Sequence, residues 1–204
     1  MEPSGNPNAG QSQIAAVGAF IWDLVKILVI ALIIIVPFRM FIAEPFVVSG
    51  SSMLPNFHDK DYLIIDRISY YTGQPQRGDV IVLKYPKDTS QFFIKRIIGL
   101  PGETVCLRQG QVLIYQGHAT TEQCQQQGKA LTEPYLSSQD ITFGRPDAVP
   151  LGSDEYFVLG DNRTASSDSR VWGILPREDI IGKVWLRVFP IPRFDLFHTP
   201  TYSS

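Results

Sequence analysis

Residues 91–103 read "QFFIKRIIGLPGE". The stretch is rich in isoleucine and phenylalanine and is bounded by glycine and proline, which marks a β-strand. Strand side chains alternate between faces. Phe93, Lys95 and Ile97 then share one face, and Ile94, Arg96 and Ile98 the other. An amine is placed among apolar groups on one side and a guanidinium among apolar groups on the other.

Similar short runs flank this one. "PFVVS", "DYLIID", "DVIVLKY", "QVLIY", "EYFVLG" and "GKVWLRVF" are rich in Val, Ile, Phe and Tyr, and glycine, proline or aspartate bounds most of them. With "FFIKRII" they give seven candidate strands and little helix between them. The 16 glycines and 15 prolines point the same way. The expectation is a mostly β body, a coiled sheet or barrel-like closure. Residues 116–150 are polar and poor in apolar anchors, which suggests a loop or hairpin inserted on that body. The proline-broken tail, "PIPRFDLFHTPTYSS", is expected at the periphery.

One segment departs from this pattern. "ILVIALIIIVPF", residues 27–38, carries no charge. Extended back through Leu24 and Val25 and on through Phe41, Ile42 and Ala43, it reaches the roughly 20 residues that a span of about 30 Å needs. Lys26 and Arg39 fall near its ends, where long side chains can reach the interface. Residues 1–20 are set apart as a polar, disordered N-terminus, most clearly in "MEPSGNPNAGQSQ". The helix is expected over residues 14–43, with 21–43 as an uncleaved transmembrane anchor and 44–204 as the folded body. Large Phe41 and nearby Pro45 argue against a cleavage site there. Residues 1–25 hold no lysine or arginine, so charge bias says little about orientation. The net charge of -2 gives no sign of a nucleic-acid surface. Cys106 and Cys124 suggest no metal site, and both a disulfide and two free thiols stay open.

The chemistry begins in "FVVSGSSMLPNF", residues 46–57, where hydroxyls crowd after an apolar strand. Serine is a weak nucleophile without a base. His58, His118 and His198 sit in company that suits surface residues, so a histidine triad is poorly supported. Lys95 is the better base. Its ordinary pKa of about 10.4 falls when burial penalises the ammonium, and a neutral amine can take the serine proton. Arg96 cannot, because guanidinium stays protonated. A third stretch, "LGDNRTASSDSRVWG", residues 159–173, offers Ser166 as a partner that adds no charge beside the lysine. A carboxylate in direct contact would raise the lysine pKa. Asp161, Asp168, Arg163 and Arg170 are therefore read as ion pairs holding this loop rigid.

"SSMLP", "KRIIGLPGE" and "GDNRTASSDSR", in this order behind an N-terminal anchor, closely resemble type I signal peptidases, with "GDVIVL", residues 78–83, as a fourth segment. The resemblance runs from about Glu44 to about Phe189. It implies a membrane-bound serine endopeptidase that removes signal peptides from exported preproteins. It makes Ser52 the nucleophile, Lys95 the general base, Ser166 the serine that orients the lysine, and pairs Asp168 with Arg170. Asp161 matches the aspartate of the "GDN" turn, expected to pair with Arg96 or Arg163. Gly50 stands where some members carry a serine that is a second oxyanion donor, so that donor is unassigned. Loosely, Phe46, Val48, Met53 and Ile94 are expected to form shallow apolar pockets for small substrate side chains. No metal or organic cofactor is implied. The partners are signal-peptide preproteins, membrane lipid and, indirectly, the export machinery. The body is expected outside the cytoplasm on a plasma membrane, with a thylakoid or mitochondrial inner-membrane processing enzyme, or a non-catalytic anchored scaffold, as alternatives.

Overall fold

The computed structural model describes residues 9–37, 43–137, 141–144 and 147–199. Two compact units result, residues 1–42 and residues 43–204. In the first, α1 (Ala9–Pro37) contains a window, Val17–Ile35, of mean hydropathy 2.5, long and apolar enough to cross a membrane. The expected extension of the span through Phe41 and Ile42 lies outside the described residues, as does the start of the polar N-terminus.

The second unit holds β1 (Ala43–Val47), β2 (Tyr62–Asp66), α2 (Ser69–Thr72), β3 (Val80–Tyr85) and β4 (Asp88–Gly99). It continues with β5 (Glu103–Arg108), β6 (Gln111–Gln116), α3 (Thr121–Gln127), β7 (Lys129–Ala130), β8 (Val149–Pro150) and β9 (Glu155–Leu159). Last come α4 (Ser169–Trp172), β10 (Leu175–Pro176), β11 (Ile180–Phe189) and β12 (Asp195–Leu196). One antiparallel sheet has the order β1-β2-β11-β3-β4-β9-β10, with β12 added to β11. A smaller sheet has the order β7-β6-β5-β8. Among the described strands β1 and β10 do not pair, so the large sheet is open and no barrel closes.

The run Val80–Leu83 explains why β3 is central. Val80 and Val82 enter one apolar cluster with Met53, Phe57, Leu63 and Ile65. Ile81 and Leu83 enter another with Ile97, Tyr156 and Leu175. A strand buried on both faces favours a near-continuous apolar run. Each such side chain taken from water contributes about 1.5–3 kcal/mol. β4 is central too, pairing with β3 along Phe92–Arg96 and with β9 along Arg96–Gly99. Its N-terminal half has no partner on the β9 side among the described strands, and β1 pairs only with β2.

Three sequence expectations change. β5, "ETVCLR", is a buried strand that forms a hairpin with β6. The turn is Gln109-Gly110, with φ of 50° and 81°. Two consecutive positive φ values are what a two-residue hairpin turn requires. The polar insertion is not a bare loop. α3 begins in a capping box, where Thr120 accepts from Gln123 N and Gln123 accepts from Thr120 N. Cys124, fully buried in α3, is disulfide-bonded to Cys106 of β5. The tail is not peripheral either. Phe197 stacks on Phe57 at 4.6 Å and Thr199 donates to Asp79 at 2.6 Å.

Candidate active site

Ser52 lies in the turn that follows β1. Val48 is held to the returning chain by Val48 N to Asp61 O and Lys60 N to Val48 O, both 2.9 Å. Gly50 turns the chain at φ 94°, and its N–H donates to Asp59 at 3.0 Å. A left-handed φ of this kind favours glycine over any residue with a Cβ. Met53 is 1% exposed and anchors the turn in the core, with Phe57 N donating to Met53 O at 2.9 Å.

Lys95 stands opposite Ile81 in the β3–β4 ladder and is 3% exposed. It is no edge-strand lysine facing solvent. Its Nζ donates to Ser52 Oγ at 2.8 Å and to Ile94 O at 2.8 Å. The Phe93 ring lies 5.3 Å from Nζ. Burial pulls the Lys95 pKa down from 10.5 to about 8, against the carboxylates of Asp168 and Asp161, which act to raise it.

The loop after β9 closes over both residues. Asn162 N donates to Ser52 O at 3.0 Å, and Asn162 Nδ2 to Ser51 O at 3.1 Å. Gly160 sits so close to the Ser52 carbonyl and the Ser166 hydroxyl that a Cβ there would collide with both. Ser166 Oγ is buried and, among the described residues, has no hydrogen-bond partner. The two bonds of Lys95 go to Ser52 and Ile94, so the expected Ser166–Lys95 hydrogen bond is absent among the described residues, although Ser166 and the Ser52 carbonyl both pack around Gly160.

The ion pairs are buried. Asp161 takes Arg96 in a two-point contact, Nε at 2.8 Å and Nη2 at 2.6 Å. Arg96, and not Arg163, is thus the partner of Asp161. Asp168 takes Arg170 likewise, at 2.8 and 2.7 Å, and accepts from Gly160 N at 3.0 Å. Arg163 turns instead to Glu133 and Thr142 of the insertion. Tyr135 covers the Arg96 guanidinium at 3.8 Å, and Asn56 donates to Asp161 at 2.9 Å. Glu133, Tyr135 and Asn56 escape a reading of the sequence. They carry no motif, and the partners that join them to other segments lie 30 or more residues away.

A cleft of about 250 Å³ opens beside Ser52 and Lys95. Phe46, Val48 and Ile94 are among its lining residues, with Phe92 and Ser167. Met53 is not among its lining residues; it lies buried in the core below. His58 and His198 make no contact with Lys95 or Ser52 among the bonds of the described residues. Among the described residues, no group of three or more His, Cys, Asp or Glu comes together as a metal site.

A buried amine touching one serine hydroxyl can be compared with known proteins. The family model "Signal peptidase, peptidase S26" matches residues 21–189. A "Probable signal peptidase I-2" from Synechocystis sp. is 38% identical, over 85% of this chain and 76% of that protein. A "Signal peptidase I" from Leptolyngbya laminosa is 38% identical, over 87% of this chain and 85% of its own length. A crystal structure of a signal peptidase I from Enterococcus faecalis shares 31% identity, covering 54% of this chain and 97% of that one at TM-score 0.43. The match spans part of the apolar helix, the Ser52 turn, the Lys95 strand and the loop over them, and the chain belongs to the signal peptidase family, peptidase S26.

Proposed function

We propose that this chain is a membrane-anchored serine endopeptidase that removes N-terminal signal peptides from exported preproteins. The observation that carries the reading is the 2.8 Å contact between Lys95 Nζ and Ser52 Oγ, on a lysine whose burial pulls its pKa to about 8. Removal of signal peptides is also what the names of its relatives describe.

In the proposed reaction, neutral Lys95 takes the Ser52 proton as Oγ attacks the scissile carbonyl. The lysinium then protonates the leaving amine. Lys95 next activates water, which hydrolyses the acyl-enzyme. The Ser52 backbone N–H serves as oxyanion donor. Gly50 N–H is committed to Asp59 and does not provide a second one. Ser166 is assigned the task of orienting the lysine, its unpartnered hydroxyl being free to rotate. Asp161 and Asp168 pair with Arg96 and Arg170 and make no direct hydrogen bond to Lys95.

The substrate enters as an extended segment. The free edges of β1 and of the first half of β4 face the cleft, where a peptide can add as a strand. Phe46, Val48 and Ile94 narrow the cleft to small side chains. The apolar helix tethers the body near the membrane, which raises its local concentration toward substrates held there. The catalytic body stands on the extracytoplasmic side in this reading. The test is preprotein cleavage by the full chain in detergent, wild type beside Lys95→Ala. Product with wild type alone supports the reading, and equal turnover by both overturns it.

A further inference from the structure

We propose that Glu133 and Tyr135, in the segment after β7, are positioning residues that lock the three catalytic segments against one another. The proposal rests on the peptidase reading above.

The contacts fall on all three segments at once. Tyr135 lies on the face of the Arg96 guanidinium at 3.8 Å, and Arg96 is the residue after the base. Asn56, four places past the nucleophile, donates its Nδ2 to both Tyr135 O at 3.0 Å and Asp161 Oδ2 at 2.9 Å. Glu133 pairs with Arg163 of the third loop, in a contact whose side chains are 10% and 1% exposed. Tyr135 Oη closes the set by donating to Glu133 at 2.6 Å. Residues 133 and 135 thus touch the nucleophile turn, the base strand and the closing loop.

Their chemistry suits that task. Three arginines stand here, and two have carboxylates in the loop itself, Asp161 for Arg96 and Asp168 for Arg170. Arg163 has none there. A buried guanidinium left without a counter-charge is strongly destabilising and would draw on the nearest carboxylate. Glu133 supplies the third charge and leaves Asp161 to Arg96. Tyr135 then covers the planar face of that pair, where an aromatic ring is favourable for a desolvated cation. The Ser52–Lys95 distance depends on this frame, because Arg96 follows Lys95 in the chain and Asn162, next to Asp161, donates its N–H to Ser52 O. A misplacement of about 1 Å at reacting atoms can cost about 100-fold in rate.

Neither residue lines the cleft, so substrate affinity should stand while turnover falls. The experiment measures kcat and KM on a preprotein with the full chain in detergent, and the melting temperature of each variant. Tyr135→Ala is expected to lower kcat about tenfold and Glu133→Gln about fivefold. KM stays within about twofold, at a temperature well below melting. Tyr135→Phe, which keeps the ring, is expected to retain most of the turnover. A purely structural role would lower the melting temperature and leave kcat of the folded protein alone. Variants within about twofold of wild type in kcat, losses confined to KM, or a Phe variant as poor as Ala would each overturn the proposal. Should Tyr135→Ala not fold, Glu133→Gln decides alone, since it removes one charge and no volume. An inactive wild type overturns the peptidase reading and this proposal with it; an active wild type with indifferent variants overturns the proposal only.

Discussion

Raising the pH from about 7 to about 9 titrates the Lys95 ammonium, whose folded pKa is about 8 against an ordinary 10.5. The neutral fraction follows directly, about one molecule in eleven at the lower pH and about ten in eleven at the higher. If the neutral amine is the base, kcat/KM rises about tenfold across that window. Stability moves with it. Between the two pKa values the unfolded chain keeps a proton that the folded chain has lost, so stability rises with pH through this range. From pH 7 to pH 9 the gain is about 1 kcal/mol, and it continues until the unfolded lysine titrates in its turn. Below about pH 8 the folded state bears the cost of a buried ammonium. Lys95→Met lacks the titration and removes every other group from the comparison by difference. The assays are initial rates on a preprotein and thermal or urea unfolding, for wild type and Lys95→Met, in detergent across the window. A flat wild-type rate profile from about pH 7 to about pH 9, or an unfolding difference that does not change with pH, would refute the reasoning.

Ser52→Ala should abolish cleavage while Ser51→Ala keeps most of it, because Lys95 donates to Ser52 Oγ and only the Ser51 carbonyl is engaged by the loop; rates for the two variants decide. Asp168→Ala should reduce both rate and melting temperature, since it strands the Arg170 guanidinium and the Gly160 N–H in the interior. The loss of one partner of a buried pair is about 3–5 kcal/mol, and an unchanged unfolding midpoint would contradict this. Cys106→Ser should cost about 3 kcal/mol by the loop-closure relation and leave more than about a tenth of the activity. Specific activity of the purified variant measures it, and a loss as deep as that of Ser52→Ala would count against a purely stabilising disulfide.

Short-range patterns carried much of this protein in its sequence. Alternation along "FFIKRII" set Lys95 among apolar side chains, and β4 indeed buries it opposite Ile81. Unbroken apolar runs such as "VIVL" marked strands, because a strand covered on both faces favours apolar side chains on both. The helix over Val17–Ile35 follows from local hydropathy alone. Serine, lysine and the polar loop were legible as chemistry, since a serine without a base is inert and only a few residues can supply one.

Pairing over long distances was not legible. Choosing Arg96 over Arg163 for Asp161 depends on which guanidinium the packed β4 aims at the loop, a matter of register with β9. The bond between Cys106 and Cys124 depends on α3 lying across β5, which their spacing does not fix. Met53 sits next to Ser52 yet is buried with Phe57 and Leu63 and does not line the cleft, because the turn in which it stands packs it into the core. Glu133 and Tyr135 gain their place only when the insertion folds back onto Arg163 of the loop after β9 and Arg96 of β4. Local sequence determines which residues are apolar, cationic or nucleophilic and which backbone shapes they favour. The tertiary structure decided which of them meet, because charge pairing and burial act through space between segments far apart in the chain.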